Sequence, residues 1–185
     1  MFGVAILVLS LLAVSNPTAV FPKEVAATPS ASVSPTPAVE YYLPYPGILP
    51  DNPLYKLKMV RDRIVLWLTF DPLKKSQLEL LYADKRVNAA WELEQGGKSS
   101  LGVSTATKAE KYLEQSANGV IDLQKQGLDV KSQLLTLQSA ATKHTELLQT
   151  MQERLTGSDQ TTIMNTVAET QMVGQSVTQA LRESK

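Results

Sequence analysis

The chain has no cysteine and a single histidine among its 185 residues, and its formal net charge is zero. Without thiols there is no disulfide framework, thiolate zinc site, iron–sulfur cluster or cysteine nucleophile. One imidazole falls short of most metal sites and catalytic triads, which need several ligands or a committed base. Balanced charge argues against general nucleic-acid binding, which rests on surplus Lys and Arg. Proline is missing from most of the chain, since all ten lie at or before Pro72. Beyond Trp91 the only aromatic residue is Tyr112. A proline inside a helix removes a hydrogen bond and clashes with the preceding turn. The remainder is therefore free to form long helices.

What is present falls into zones. Residues 2–14 are apolar except for Gly3 and Ser10. That suits the apolar region of a secretory signal peptide and is short of the roughly 20 residues that span a bilayer. Ala13-Val14-Ser15 offers small residues for cleavage before Asn16. Residues 1–21 are read as a signal peptide or membrane anchor, the attachment running through residues 2–21 if it is retained. Residues 22–40 are rich in Pro, Ser, Thr and Ala. They carry too little apolar surface to offset chain entropy, so they read as a disordered linker. Residues 41–185 are the expected domain, opening with an extended aromatic-proline collar over 41–52.

Two phrases, Asn52-Pro53-Leu54 and Asp71-Pro72-Leu73, mark helix starts. An Asn or Asp side chain accepts from unpaired N–H groups, and the proline after it has no N–H to leave unsatisfied. A first helix is expected over 53–70 and a second from Pro72 to Gln95. The first carries Ile64-Val65-Leu66-Trp67-Leu68, apolar on every side, and such a helix must be buried or covered by a partner. Lys56, Lys58, Arg61 and Arg63 read as a solvated face, with membrane headgroups as the alternative contact.

Later helices follow from periodicity. Leu73, Leu80, Ala83, Val87 and Ala90 share one stripe, and the glycine-rich stretch 96–102 is expected to be a loop. Ala106, Ala109, Leu113, Ala117, Val120 and Leu123 form a thin second stripe ending at Gly127. Asp129 is expected to cap a helix whose Leu134, Leu137, Ala141, His144, Leu148, Met151 and Leu155 make a coiled-coil-like seam, with Gly157 closing it. The last segment, 158–185, is rich in Gln and Thr and is expected to be the weakest. The fold expected is all-α: an antiparallel bundle of four to five helices behind a signal or anchor segment and a linker.

No catalytic, cofactor-binding or metal constellation emerges, and the chain reads as a non-enzyme with no cofactor. His144-Thr145-Glu146 lacks the cysteine ligands of a zinc deaminase, and Ala141 stands where a helical di-metal site needs Glu. The acidic pair Glu110 and Glu114, beside Lys108 and Lys111, reads as a solvated helix face. His144 reads as a core residue satisfied by a neighbouring helix, or as a pH-sensitive element. If burial lowers its pKa, stability falls as pH drops below about 6.5. Tyr41, Tyr42, Tyr45 and Tyr55 form either cladding over the bundle or an aromatic partner surface.

The segment from Pro44 to Tyr55 (PYPGILPDNPLY), with Arg61-Asp62-Arg63-Ile64 and Leu68-Thr69-Phe70-Asp71-Pro72, resembles the bacterial family known as domain of unknown function 5667. The resemblance continues through Ala83-Asp84-Lys85-Arg86 and Thr142-Lys143-His144-Thr145-Glu146-Leu147-Leu148. It implies an exported or membrane-attached helical protein with no assigned activity, and it supplies no site residues. The expectation is an extracytoplasmic, membrane-proximal domain that acts through contacts with an unidentified protein partner. It would bind neither nucleic acid nor a small-molecule substrate. The rivals are an envelope sensor or sigma-factor-linked regulator, and a holdase chaperone.

Overall fold

The computed structural model describes residues 40–184; the expected signal or anchor segment and nearly all of the linker lie outside the described residues. The described chain is all-helical, with no strand: α1 (Tyr55–Leu68), α2 (Pro72–Gln95), α3 (Ser99–Lys125), α4 (Lys131–Arg154) and α5 (Gly157–Glu183).

The boundaries have local causes. Asp71 Oδ1 accepts from the amides of Leu73 and Lys74, at 2.9 and 3.1 Å, and Pro72 takes the first helical position. At the other end of α2, Gly97 adopts φ +75°, its N–H reaches the Glu94 carbonyl and that of Lys98 reaches Leu93. Gly127 (φ +87°) ends α3 the same way, with Leu128 bonded back to Leu123. A left-handed residue is needed to turn these amides onto the last free carbonyls, and glycine adopts it without a Cβ penalty.

Five boundaries differ from the expectation, the first being the end of α1 at Leu68 rather than Phe70. Asn52 and Pro53 form a turn, Tyr55 N–H bonding to the Asn52 carbonyl, so α1 begins at Tyr55. The glycine-rich loop is shorter than expected, because α3 already begins at Ser99 and Gly102 lies inside it. A Cβ at Gly102 would sit 2.9 Å from the Ala90 carbonyl oxygen of α2, so this glycine serves close helix approach. The cap position of α4 is Val130, and Asp129 accepts from the Lys131 amide instead. Gly157 opens α5, α4 having ended at Arg154, and α5 docks along its length against α4 and α3.

Packing is pairwise and close. Near the end of α2 Ala90 meets Gly102 near the start of α3, while Ser76 meets Gly119, and Ser116 Oγ donates to the Ser76 carbonyl at 2.7 Å. On the other side Ala141 of α4 faces Gly174 of α5, and Gln138 Nε2 donates to Thr178 Oγ1. The expected α4 seam is buried from Leu134 to Leu155. Each fully buried Leu contributes about 1.5–3 kcal/mol relative to exposure, so this seam is a large share of the apolar core.

The core is not continuous. One apolar cluster gathers Ala83, Leu113, Leu134, Leu137, Ala141 and Val177; the other gathers Val87, Ala109, Leu148, Met151, Ile163 and Val167. On each of the four long helices a polar residue stands between members of the two clusters: Asp84, Glu110, His144 and Thr170.

Candidate functional site

The four polar residues form one buried layer. His144 is fully buried, its Nδ1 2.8 Å from Glu110 Oε1 and its Nε2 3.0 Å from Asp84 Oδ1. The second oxygen of Glu110 lies 2.9 Å from the Thr170 hydroxyl. The second oxygen of Asp84 accepts from Tyr41 of the collar at 2.8 Å. Three of the long helices therefore meet at one imidazole, and α5 and the collar join the same layer through its two carboxylates.

The electrostatics follow from this geometry. Burial alone lowers an imidazole pKa, the condition under which stability would fall below about pH 6.5. Here burial is the largest single influence, but the Glu110 charge, hydrogen bonds to Asp84 and Glu110, and the Asp84 charge together outweigh it. They raise the group to about 9. At neutral pH His144 is thus an imidazolium donating from both nitrogens. Burial first, then the charge of Asp84, holds the Tyr41 phenol well above its ordinary range. With both ring nitrogens taken and no solvent access, the layer offers neither a metal ligand nor a general base to a substrate. Among the described residues no cluster of His, Asp and Glu is arranged to hold a metal ion.

The four tyrosines singled out in the sequence do not share a surface. Tyr41 turns inward to Asp84, and Tyr55 is half-buried near Arg86. Tyr42 and Tyr45 face solvent. The collar is otherwise tied down through its carbonyls: Asn88 Nδ2 donates to Pro44 and Lys58 Nζ to Pro46. Leu43 packs on one core cluster and Tyr41 on the other.

Glu110 is the member of this layer that sequence reasoning placed wrongly. It is buried and faces His144, whereas its neighbour Glu114 is exposed. The available signal was its position four residues after Ala106 and three before Leu113, on the apolar stripe itself.

The other unusual feature is α1, which is amphipathic inside out. Its one buried residue is Asp62, 3% exposed, bonded to Arg61 and 3.8 Å from the Arg86 guanidinium of α2. Arg86 is itself buried, 4.2 Å above the Tyr112 ring and 5.3 Å from that of Tyr82. Away from this contact lie Leu57, Val60, Ile64, Trp67 and Leu68, at spacings that place them along one helical stripe. Leu57 is 68% and Trp67 78% exposed, and Phe70 beyond the helix end is 88% exposed. An all-round apolar helix was expected to be covered, and nothing among the described residues covers this face.

Two grooves border these elements. One of about 400 Å³ lies between α1, α2 and α3, lined by Arg63, Trp67, Lys75, Glu79, Lys108 and Lys111 among others. Burial raises the Glu79 pKa, opposed by the Lys75 charge. The other, about 670 Å³ and open, runs between α4 and α5 past Gln138, Thr145, Gln149, Gln171 and Gln175. Neither groove brings a nucleophile together with an activating base. No described helix is long and apolar enough to cross a membrane.

A family model described as Domain of unknown function (DUF5667) matches residues 47–158, which takes in Asp84, Glu110 and His144. No curated protein and no solved structure matches the chain.

Proposed function

The chain belongs to the DUF5667 family, and from that premise we propose that it is a non-catalytic, extracytoplasmic, membrane-proximal domain that works through surface contacts. In this reading the four long helices form an antiparallel bundle, stiffened by the His144 layer, and the bundle's task is to present a surface. The observation that carries the reading is α1. A folded domain that turns the one acidic residue of α1 inward and five large apolar residues of that helix outward has given up burial it had the residues to achieve. Contiguous exposed apolar surface of this kind marks interaction sites. The apolar segment 2–14 and the linker 22–40 support a tethered display outside the cell membrane.

Site-specific photo-crosslinking in cells tests this. A photoreactive residue at position 64 should capture partner material, while one at the exposed Leu135 of α4 should not. No adduct from position 64 beyond that from 135 would overturn the contact role.

The same exposed surface favours one further reading, a holdase that shields unfolding clients. The full chain would then suppress aggregation of unrelated proteins, and Ile64→Ser with Leu68→Ser would abolish the effect.

A further inference from the structure

We infer that the outward face of α1 seats on an anionic lipid surface, with its apolar stripe at acyl-chain level and its flanking cations at the headgroups. This rests on the contact role proposed above and names the partner of the same face.

Charge decides between occupants. On α1 the cations Lys56 and Arg63 remain at the surface, while Asp62, the sole acid of the helix, is withdrawn against Arg61 and Arg86. Lys75, Lys108 and Lys111 extend the positive surface along the groove that begins beside Arg63 and Trp67. An apolar stripe of Leu, Ile, Val and Trp edged by Lys and Arg is the composition of helices that lie in a bilayer interface. Trp67 and Phe70 add rings suited to the boundary between headgroups and chains. A second copy of this chain fits poorly. A two-fold interface on this face would set the same cations against one another, and like charges across an interface are costly.

The chain outside the described residues permits the geometry. The linker 22–40 spans roughly 60 Å when extended, taking about 3.1 Å per residue. That exceeds the length of the longest helix, roughly 40 Å at about 1.5 Å per residue. A body tethered through residues 2–21 therefore has the slack to lay α1 on the same bilayer.

The test uses the full chain with Trp91→Phe, which leaves Trp67 as the sole tryptophan. Its fluorescence is read with vesicles of phosphatidylcholine alone and of phosphatidylcholine with an equal share of phosphatidylglycerol, each with and without brominated acyl chains. Residues 2–21 are free to attach the chain to either vesicle, so the Trp67 signal reports α1 itself. The expected result is a blue shift and bromine quenching with the anionic vesicles, lost in high salt. Lys56→Gln with Arg63→Gln should lower the ratio of docked to free α1 about 25-fold, at about fivefold per cation near an anionic surface. Ile64→Ser with Leu68→Ser should remove the quenching at unchanged Tm, since neither side chain is in the core.

Equal quenching by neutral vesicles, or none by either, overturns the proposal. So does a Trp67 already shielded without vesicles, with sedimentation then separating cover by a second copy from cover by this chain's own segment. Failure here combined with protein adducts from position 64 would overturn the lipid assignment and leave the contact role standing. Absence of adducts would remove both.

Discussion

His144 Nε2 lies 3.0 Å from Asp84 Oδ1, a residue sixty positions away in the chain, while its Nδ1 meets Glu110 thirty-four positions away. The imidazole thus closes two long loops at once, and its charge compensates two carboxylates that would otherwise be buried together. Removing it leaves both without their donor. His144→Ala should cost about 3–5 kcal/mol, the range for breaking a buried ion pair from one side. Urea unfolding measures this. The triple variant Asp84→Asn, Glu110→Gln, His144→Leu should be less destabilised than His144→Ala, since no uncompensated charge remains.

The pH dependence has a definite sign. The folded-state pKa of about 9 lies above the unfolded value near 6.5, so the native state holds the extra proton between those values. The stabilisation is fully present below pH 6.5 and is lost as pH rises through about 9. Its size is on the order of 3 kcal/mol. The Tm of the wild type should fall between pH 6 and pH 9.5, and that of His144→Gln should fall much less. A wild-type Tm that instead drops on acidification from pH 7 to 6 would restore the opposite sign.

The collar splits by residue. Tyr41→Phe leaves Asp84 Oδ2 without its donor and should destabilise by about 2 kcal/mol. Tyr42→Ala and Tyr45→Ala, both at exposed positions, should stay within about 0.5 kcal/mol. Deleting 41–50 should lower stability by more than Tyr41→Phe, because the Asn88 and Lys58 bonds to the collar also go. Chemical denaturation of the four proteins checks the order.

Two glycines predict opposite outcomes for the same substitution. In helix interiors Gly→Ala ordinarily stabilises by about 0.5–1 kcal/mol. Gly174→Ala should follow that rule, because the added Cβ meets Ala141 Cβ at an ordinary 3.5 Å. Gly102→Ala should destabilise by about 1–3 kcal/mol, since the new methyl lies 2.9 Å from the Ala90 carbonyl and α2 must move. Thermal melts of the two variants should shift in opposite directions.

Much of the helical frame was legible before the structure. Asp71-Pro72 announces α2 by chemistry confined to adjacent residues, and the α4 seam repeats often enough to identify its buried side. What was hidden depends on residues far apart in sequence. Gly102 looks like a loop glycine until Ala90 is known to lie against it. Glu110 looks solvated because exposed lysines flank it, although its spacing put it on the apolar stripe. Periodicity identifies a stripe but not the partner that compensates a charge on it. For the same reason the direction of the His144 shift was open until Asp84 and Glu110 were brought to the ring. In α1 apolar residues occur all round, so sequence did not determine which side would turn inward; Asp62 and its approach to Arg86 do.

The collar enters the folded body at Tyr41, directly after Glu40. Tension drawn along the chain from Glu40 is therefore borne by the hydrogen bond to Asp84 before it reaches any helix end. A pull strong enough to detach Tyr41 uncovers one carboxylate oxygen of the buried layer while the helices are still assembled. The point where the collar enters the body and the buried polar layer of this domain are one hydrogen bond apart.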